Sequence, residues 1–215
     1  MQDLHENLLT LKLGGIMMIP LSFLAIAAFA IMLEKAVIYW RYARLSKEML
    51  ALIETYGFAW SDLESQSARL HPHNYFRRFF EVIISHRKRP AWWTESRAAD
   101  EAQVIETTLS RRLWILETIV TAAPLLGLMG TIAGMMHAFQ LIGSSGLVNP
   151  TGVTGGVAQA LIATAVGLFI ALVSLFGFNY FSRLQAQIMD EMERLGTRLI
   201  DHIRLDQEEQ NHEAA

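Results

Sequence analysis

The sequence predicts an all-α integral membrane protein with three transmembrane helices, two of which extend into a cytoplasmic helical region. Two stretches contain no Asp, Glu, Lys or Arg, one from Leu13 to Leu33 and one from Thr118 to Ser182. A helix needs about 20 mainly apolar residues to cross a bilayer, so the first stretch fits one crossing and the second fits two. Charged residues make up only 18 % of the chain and apolar residues 52 %, which is typical of a membrane protein rather than a soluble domain.

The first span is predicted at residues 13–33, after a short lead-in at residues 1–12. We do not expect it to be a cleaved signal peptide, because Asp3 and Glu6 precede it and because the apolar run is longer than a signal sequence needs. Beyond the span, an apolar stripe with helical spacing predicts that one helix continues into water. The stripe comprises Ile38, Tyr42, Leu45, Met49, Leu52 and Tyr56.

Residues 34–117 are predicted to form a cytoplasmic helical domain, which several glycine and proline residues divide. The aromatic and basic cluster at residues 75–80 is expected on a helix whose rings pack inward. A further helix is predicted to start near Trp93, with Thr94 as its N-cap. We expect this helix to run without a break into the second span.

The second span is predicted at residues 118–142 and the third at residues 157–182. Residues 143–156 between them are rich in glycine and serine and carry no charge, which is typical of a short turn. Residues 183–215 are predicted to begin as a cytoplasmic helix, because apolar residues again recur every three or four positions. The polar, acidic tail of the last ten residues is expected to be disordered.

Basic residues near the span ends are concentrated on one side of the predicted membrane. Lys12 is the single basic residue before the first span, and the predicted turn at residues 143–156 has none. The basic residues near the other span ends are Lys35, Arg41, Arg44, Lys47, Arg111, Arg112, Arg183, Arg194 and Arg198. Since Lys and Arg accumulate on the cytoplasmic side, we expect a multi-pass protein of the bacterial cytoplasmic (inner) membrane. Its N-terminus and the turn would be periplasmic, and its C-terminus cytoplasmic.

Composition and motifs argue against several classes of protein. The net charge of −3 gives no indication of nucleic-acid binding, and the absence of cysteine excludes disulfides and thiol catalysis. His71 and His73 resemble a pair of metal ligands, but no further ligand has a suitable spacing, so no metal site is predicted. No nucleophile with a base and no phosphate-binding loop is present. We therefore predict neither an enzyme nor a cofactor.

Two threonines on faces of small residues are the candidates for chemistry within the membrane. An ionisable residue in a span usually marks an ion pathway, and the predicted spans contain none except His137. At about 100° per residue, each threonine shares a helix face with small residues. The Thr131 face holds Pro124, Gly127, Gly134 and Ala138, and the Thr164 face holds Ala160, Gly167, Ala171 and Ser174.

These faces fit two uses, which the residues alone leave open. Small residues let helices approach closely, and Gly130 and Gly134 stand four apart, so composition alone favours helix packing. If copies of the chain met through these faces, Gly134 and Gly167 would hold the subunits together. The same faces can instead leave a narrow, mildly polar lumen, which Thr131 and Thr164 would line. His137 is expected to be an interfacial residue near the outer end, and Gln159 a polar residue at the mouth of a pore.

Two stretches resemble a known family. Residues 123–136 read APLLGLMGTIAGMM and residues 157–168 read VAQALIATAVGL, with a Gly-rich turn between them. Together they resemble the MotA/TolQ/ExbB proton channel family, and ExbB most closely. The resemblance implies a homopentamer around a central pore, with Thr131 and Thr164 as its pore threonines. It also implies an ExbD-like single-span partner that carries a titrating membrane Asp. Gln159 is a departure, because relatives often have Glu at this position.

The resemblance predicts an ExbB-like stator subunit that uses the proton-motive force with its ExbD-like partner to energise a TonB-like protein. A TolQ-like subunit that serves envelope integrity and a non-conducting membrane scaffold are the alternatives. A motility stator is disfavoured, because the cytoplasmic segment up to Glu117 shows no evident face of charges for binding a rotor.

Overall fold

The computed structural model describes residues 15–55, 58–143 and 150–213. The helices in these ranges are α1 (Met18–Tyr42), α2 (Lys47–Glu54), α3 (Trp60–Arg69), α4 (Tyr75–His86), α5 (Ala91–Ser110), α6 (Leu113–Gly143) and α7 (Pro150–Glu213). No residue in these ranges belongs to a β-strand. The predicted all-α fold is therefore confirmed.

Three segments are long and apolar enough to cross a membrane. They lie at Met18–Tyr42, within Ala91–Gln140 and within Gly152–His212. Large apolar side chains cover their outward surfaces, and Phe23 and Phe176 are both about 70 % exposed. Apolar side chains on that scale avoid water, so these surfaces suit contact with lipid. The prediction of three spans is confirmed.

The chain divides into two compact units. The span unit combines the described part of residues 1–33 with residues Arg112–Tyr180, and the bundle unit combines Glu34–Arg111 with the described residues from Phe181 onward. The span unit thus holds most of α1, all of α6 and the first part of α7. The bundle unit holds α2 to α5 and the remainder of α1 and α7.

Within the span unit, α1 packs with one face inward. Leu21 and Ala28 are buried on that face, whereas Ile26 and Phe29 are exposed on the other. Near the end of this packed face, a β-carbon placed on Gly177 of α7 would lie 2.6 Å from Sδ of Met32. This distance is shorter than a real carbon–sulfur contact allows, so the absence of a side chain at Gly177 lets the two helices approach.

The bundle unit is built around aromatic and aliphatic side chains. Phe76, Phe80 and Ile83 of α4 are buried, as are Leu109 of α5 and Leu195 of α7. This confirms that the rings of the cluster at residues 75–80 pack inward. Asn74 fixes the start of α4, because its Oδ1 accepts from the backbone N–H of Phe76 at 2.9 Å and its Nδ2 donates to the carbonyl of Arg44 at 2.9 Å. A side-chain cap of this kind satisfies N–H groups that the helix itself leaves open.

Lys35 has a structural role that its sequence position did not predict. Sequence patterning treated it as one of the basic residues that set the membrane orientation, yet only 1 % of it is exposed. Its Nζ donates to the carbonyl of Leu109 at 2.6 Å, and the hydroxyl of Tyr39 donates to the same oxygen at 3.3 Å. Carbonyl groups in the last turn of a helix lack intrahelical partners and attract cations. Lys35 therefore caps the C-terminal end of α5.

Two helices that the sequence predicted to be continuous are interrupted. The stripe from Ile38 onward does not lie on one helix, because α1 ends at Tyr42 and α2 begins at Lys47. Ser46 starts the second helix, since its Oγ accepts from the backbone N–H of Met49 at 3.3 Å. The helix predicted to run into the second span is likewise interrupted after α5, where Arg112 has a φ of 69°. The apolar residues continue with the same helical spacing after each break, so the sequence pattern does not reveal where one helix ends and the next begins.

Two helix starts and one helix end also differ from expectation. Thr94 is not an N-cap, because α5 begins at Ala91 and the Thr94 hydroxyl is buried and donates to the carbonyl of His86 at 2.9 Å. Part of the turn predicted at residues 143–156 is helical, because α7 begins at Pro150, where the fixed φ of proline suits a first helical position. The polar tail that was expected to be disordered is helical as far as Glu213.

Candidate functional site

The two candidate threonines donate to successive carbonyl groups of one helix turn. Thr164 of α7 donates from Oγ1 to the carbonyl of Gly127 in α6, at 2.9 Å. Thr131 donates from Oγ1 to the carbonyl of Leu128, three residues earlier in its own helix, at 2.7 Å. Both side chains are partly buried. The structure thus brings the two hydroxyls to adjacent carbonyls of α6.

Glycine makes the approach of α6 and α7 possible at this point. A β-carbon on Gly127 would lie 3.0 Å from Cα of Thr164 and 3.1 Å from the carbonyl oxygen of Ala163. One on Gly167 would lie 2.5 Å from the carbonyl oxygen of Ala123. The distance at Gly167 is too short for a real β-carbon and the two at Gly127 are tighter than most real contacts, so the two backbones lie in close contact. Close approach through small residues is the usual means of packing helices in a membrane, where the hydrophobic effect does not drive association.

The same kind of contact continues along the two helices. A β-carbon on Gly130 would lie 2.6 Å from Cβ of Ala163, and one on Gly134 would lie 2.9 Å from Cβ of Ala160. Gly156 meets Cβ of Ala138 in the same way, at 2.9 Å. The predicted small-residue positions are therefore brought together, and Gly156 and Ala163 are members that the sequence pattern did not single out.

These glycine contacts are made within one chain. The sequence left open whether the small-residue faces hold helices of one chain or neighbouring subunits, and at Gly127, Gly130, Gly134 and Gly167 the contacting atoms belong to the same chain. These positions therefore pack helices of one chain together, and the expectation that the small-residue faces also hold copies of the chain together stays a prediction. Pro124 is half-buried and Ala171 is buried.

Each threonine hydroxyl keeps an acceptor function. A hydroxyl has one hydrogen to donate and two lone pairs that accept. In both threonines the hydrogen bonds to α6 account for the donor, while the oxygen can still accept from water or from a protonated carboxylic acid. The donor of Thr164 thus holds α6 and α7 together, and its oxygen keeps the capacity to accept a hydrogen bond.

Gln159 lies at a cavity inside the span unit and on a different face from Thr164. The cavity has a volume of about 250 Å³ and its lining includes Gly15, Gly134, His137 and Gln159. A β-carbon on Gly15, where φ is +73°, would lie 2.8 Å from Nε2 of Gln159. The amide of Gln159 therefore packs against the backbone just before α1, which only a glycine allows in that conformation. His137 is largely exposed.

Ser174 and the histidine pair complete the predicted polar positions. Ser174 is fully buried, and its Oγ has no hydrogen-bond partner among the residues that the structure describes. His71 and His73 are exposed, and Nδ1 of His71 accepts from the backbone N–H of His73 at 3.2 Å. Within the described ranges, no three His, Asp or Glu side chains come close enough together to hold a metal ion.

Comparison with known proteins gives one family and several named relatives. The model of the MotA/TolQ/ExbB proton channel family matches residues 71–194, a range that includes Thr131, Gln159 and Thr164. A Synechocystis sp. protein named as biopolymer transport protein ExbB-like 3 is 34 % identical over 80 % of this chain and 82 % of its own length.

Two further relatives match over a smaller part of their length. The biopolymer transport protein ExbB of Xanthomonas campestris is 36 % identical over 49 % of this chain and 42 % of its own. That of Aquifex aeolicus is 40 % identical over 37 % of this chain and 53 % of its own. The chain thus matches about half of the length of each of these two relatives.

Proposed function

Because the chain belongs to the MotA/TolQ/ExbB proton channel family, we propose that it is an ExbB-like stator subunit of a machine driven by the proton-motive force. The observation that carries this proposal is the family match across both threonine-bearing helices, α6 and α7. The relatives named biopolymer transport protein ExbB favour transport at the cell envelope as the work performed. In this reading the chain passes energy to a TonB-like protein.

The residues of this chain require a partner for proton transfer. From Thr118 to Ser182 there is no Asp, Glu, Lys or Arg, and a hydroxyl does not bind and release protons near neutral pH. An ExbD-like single-span protein with a membrane Asp supplies the missing group. The oxygens of Thr131 and Thr164 are suited to hold water beside that Asp. One charge that crosses about 100 mV releases about 2.3 kcal/mol, so a few protons drive a sizeable conformational step.

Outward surfaces of the span unit support the proposal of a homo-oligomer, which we take to be a pentamer. Leu125, Met136 and Phe139 of α6 are each more than half exposed, as are Leu168 and Phe169 of α7. These large side chains lie outside the glycine contacts between α6 and α7. They therefore remain available for neighbouring subunits as well as for lipid.

The topology we propose places the N-terminus in the periplasm and the bundle unit in the cytoplasm, as the basic residues favour. Single cysteines test this cleanly, because the chain has none of its own. Ser145→Cys lies in the segment between α6 and α7, outside the described residues, and should react with an impermeant maleimide added to whole cells. Ser85→Cys in the bundle unit should react only after the cells are opened. The reverse pattern would overturn the topology.

Co-purification with a partner is the direct test of the proposed function. Expressed with a single-span protein from the neighbouring reading frame, the tagged chain should retain that protein through detergent extraction. Replacing the partner's membrane Asp by Asn should leave the complex intact and abolish energised transport. Full transport with that Asn variant would overturn the proposal. The gene neighbourhood would also distinguish an ExbB-like system from a TolQ-like one.

A non-conducting scaffold is the second candidate, and one observation favours it. The Thr164 hydroxyl already donates to the Gly127 carbonyl across the helix interface, so packing alone could account for a threonine there. A scaffold would assemble with its partner yet be indifferent to the partner's Asp. The Asn variant of the partner therefore separates the two candidates.

A further inference from the structure

The bundle unit contains a groove between α5 and the second part of α7. Its volume is about 600 Å³. It is lined by Phe79, Glu95, Ala98, Ala99, Ala102, Gln103, Glu106, Met189, Met192, Glu193, Gly196, Thr197, Ile200, Asp201 and Arg204. We call this feature the acidic groove. All of its residues belong to the bundle unit.

The floor of the acidic groove is apolar and deep. Ala98 and Ala102 of α5 have short side chains, so they leave space above Met192 and Ile200 of α7, which are buried. At Gly196 a β-carbon would lie 2.9 Å from Cζ of Phe79, so the backbone of α7 sits directly against that ring. An apolar floor of this kind favours an occupant that brings apolar side chains.

The rim of the acidic groove carries four exposed carboxylates, from Glu95, Glu106, Glu193 and Asp201. Arg204 is the one basic residue of the lining. It bonds to Glu95 at 2.8 Å and to Asp201 at 3.0 Å, so at this end of the rim one of the two negative charges is compensated. At the other end, neither Glu106 nor Glu193 forms an ion pair with any residue that the structure describes. The uncompensated negative charge is therefore concentrated there.

We propose that the acidic groove is a docking site for a cationic amphipathic helix of another protein. Such a helix would place its apolar side chains on the alanine, methionine and isoleucine floor and its Lys or Arg residues beside Glu106 and Glu193, which is the helix-in-groove mode of recognition. From Glu95 to Glu106 the rim extends over eleven residues of α5, or about 16 Å at 1.5 Å per residue. This length suits about three turns of a docked helix.

The acidic groove cannot be predicted from either of the two sequence segments that form it. Glu95 and Glu106 come from the segment before the second span, whereas Glu193 and Asp201 come from the segment after the third. Residues 34–117 by themselves show no evident face of charges, because half of the rim lies outside that range. The docking site adds a partner protein to the proposed function, and binding at the groove does not depend on that function.

A pair of synthetic peptides tests the charge and the shape together. One peptide is an 18-residue amphipathic helix of Lys and Leu, and the other replaces each Lys by Glu. The full chain is held in nanodiscs of zwitterionic lipid, and binding is followed by fluorescence anisotropy with empty nanodiscs subtracted. The Lys peptide should bind and the Glu peptide should not. Binding should weaken as salt is raised, because exposed charges are screened.

Charge reversal localises the binding. Glu106→Lys with Glu193→Lys should weaken binding of the Lys peptide by at least about tenfold, which corresponds to about 1.4 kcal/mol. Glu208→Lys with Glu209→Lys makes the same change in net charge on exposed residues outside the groove and should leave binding unchanged. Both pairs lack ion-pair partners among the described residues, so both variants should fold. Equal weakening by the two pairs, or none by either, would overturn the proposal.

A single cysteine in the groove identifies what occupies it. Ala99→Cys lies on the exposed side of α5, and this cysteine should react with a maleimide in the nanodisc and be protected by the Lys peptide. If it is already shielded in the purified protein and forms disulfide-linked dimers, a second copy of the chain fills the groove. That result would overturn the proposal of a separate partner.

Discussion

Replacing Thr164 by valine should abolish energised transport while leaving the protein folded and assembled with its partner. Valine has nearly the shape of threonine but neither donates nor accepts, so the variant loses the bond to the Gly127 carbonyl and the oxygen that can hold water. The lost bond should cost only about 0.6 kcal/mol, the average for a hydrogen bond between membrane helices. Transport can be followed as growth on siderophore-bound iron, with protein levels checked by blot and stability by thermal melting in detergent.

Thr164→Ser is the matched control, since it keeps the hydroxyl and should retain part of the transport. Thr131→Val removes the other hydroxyl without touching an interhelical bond, because Thr131 donates within its own helix. A transport defect in Thr131→Val would therefore indicate that the Thr131 hydroxyl serves the ion path, because no interhelical hydrogen bond is lost in this variant. Full transport in both valine variants would assign both residues to helix packing alone.

Replacing Gly167 by leucine should prevent α6 and α7 from packing and so destroy the folded span unit. The new side chain would begin 2.5 Å from the carbonyl oxygen of Ala123, and a backbone atom cannot move aside as a flexible side chain can. Extra methylene groups in a well-packed core typically cost about 1–3 kcal/mol, and here the two helices must also separate, which breaks the Thr164–Gly127 bond. The detergent-extracted variant should elute as an aggregate on size-exclusion chromatography, or its melting temperature should lie well below that of the unmodified protein.

Gly155→Leu supplies the comparison, because it makes the same exchange in the same helix. A β-carbon at Gly155 would have nothing within 4 Å among the described residues. Leucine is also the better helix former, so this variant should be as stable as the unmodified protein or slightly more so. Equal loss of folded protein in both variants would mean that leucine harms α7 in general and that the contact with Ala123 is not critical.

The sequence predicts the spans well because the membrane imposes a strong and simple rule. Charge-free stretches of sufficient length can be counted directly, and all three spans are present.

Helix breaks were missed for a local reason. Between α1 and α2 the apolar spacing continues across the break, so periodicity alone cannot reveal that Ser46 caps a new helix. The capping contact of Lys35 was not predicted either, since nothing nearby in the sequence shows that this lysine reaches the end of α5.

The sequence placed the two candidate threonines on small-residue helix faces but could not predict their contacts. Spacing placed Thr131 and Thr164 on small-residue faces, and the family resemblance selected them. A small-residue face can meet another helix of the same chain or a helix of another subunit. Which of the two it meets depends on how the helices are arranged, and the helical spacing within one helix does not reveal that arrangement. Ala163 and Gly156 were missed for the same reason. They complete the contact between α6 and α7 only because of how those two helices cross.

The left-handed backbone at Arg112 also bears on how this protein could be prepared for structural work. A residue with a β-carbon is less stable by about 1–2 kcal/mol in that conformation, so the backbone at Arg112 carries a local energetic penalty. Glycine at this position would remove that penalty. Its greater conformational freedom in the unfolded chain would offset roughly 0.5–1 kcal/mol of the gain in stability. Arg112 is thus a position at which a substitution can raise the stability of the fold. Arg112→Gly would relieve the backbone penalty at an exposed position, while it would also remove an interaction that Arg112 makes.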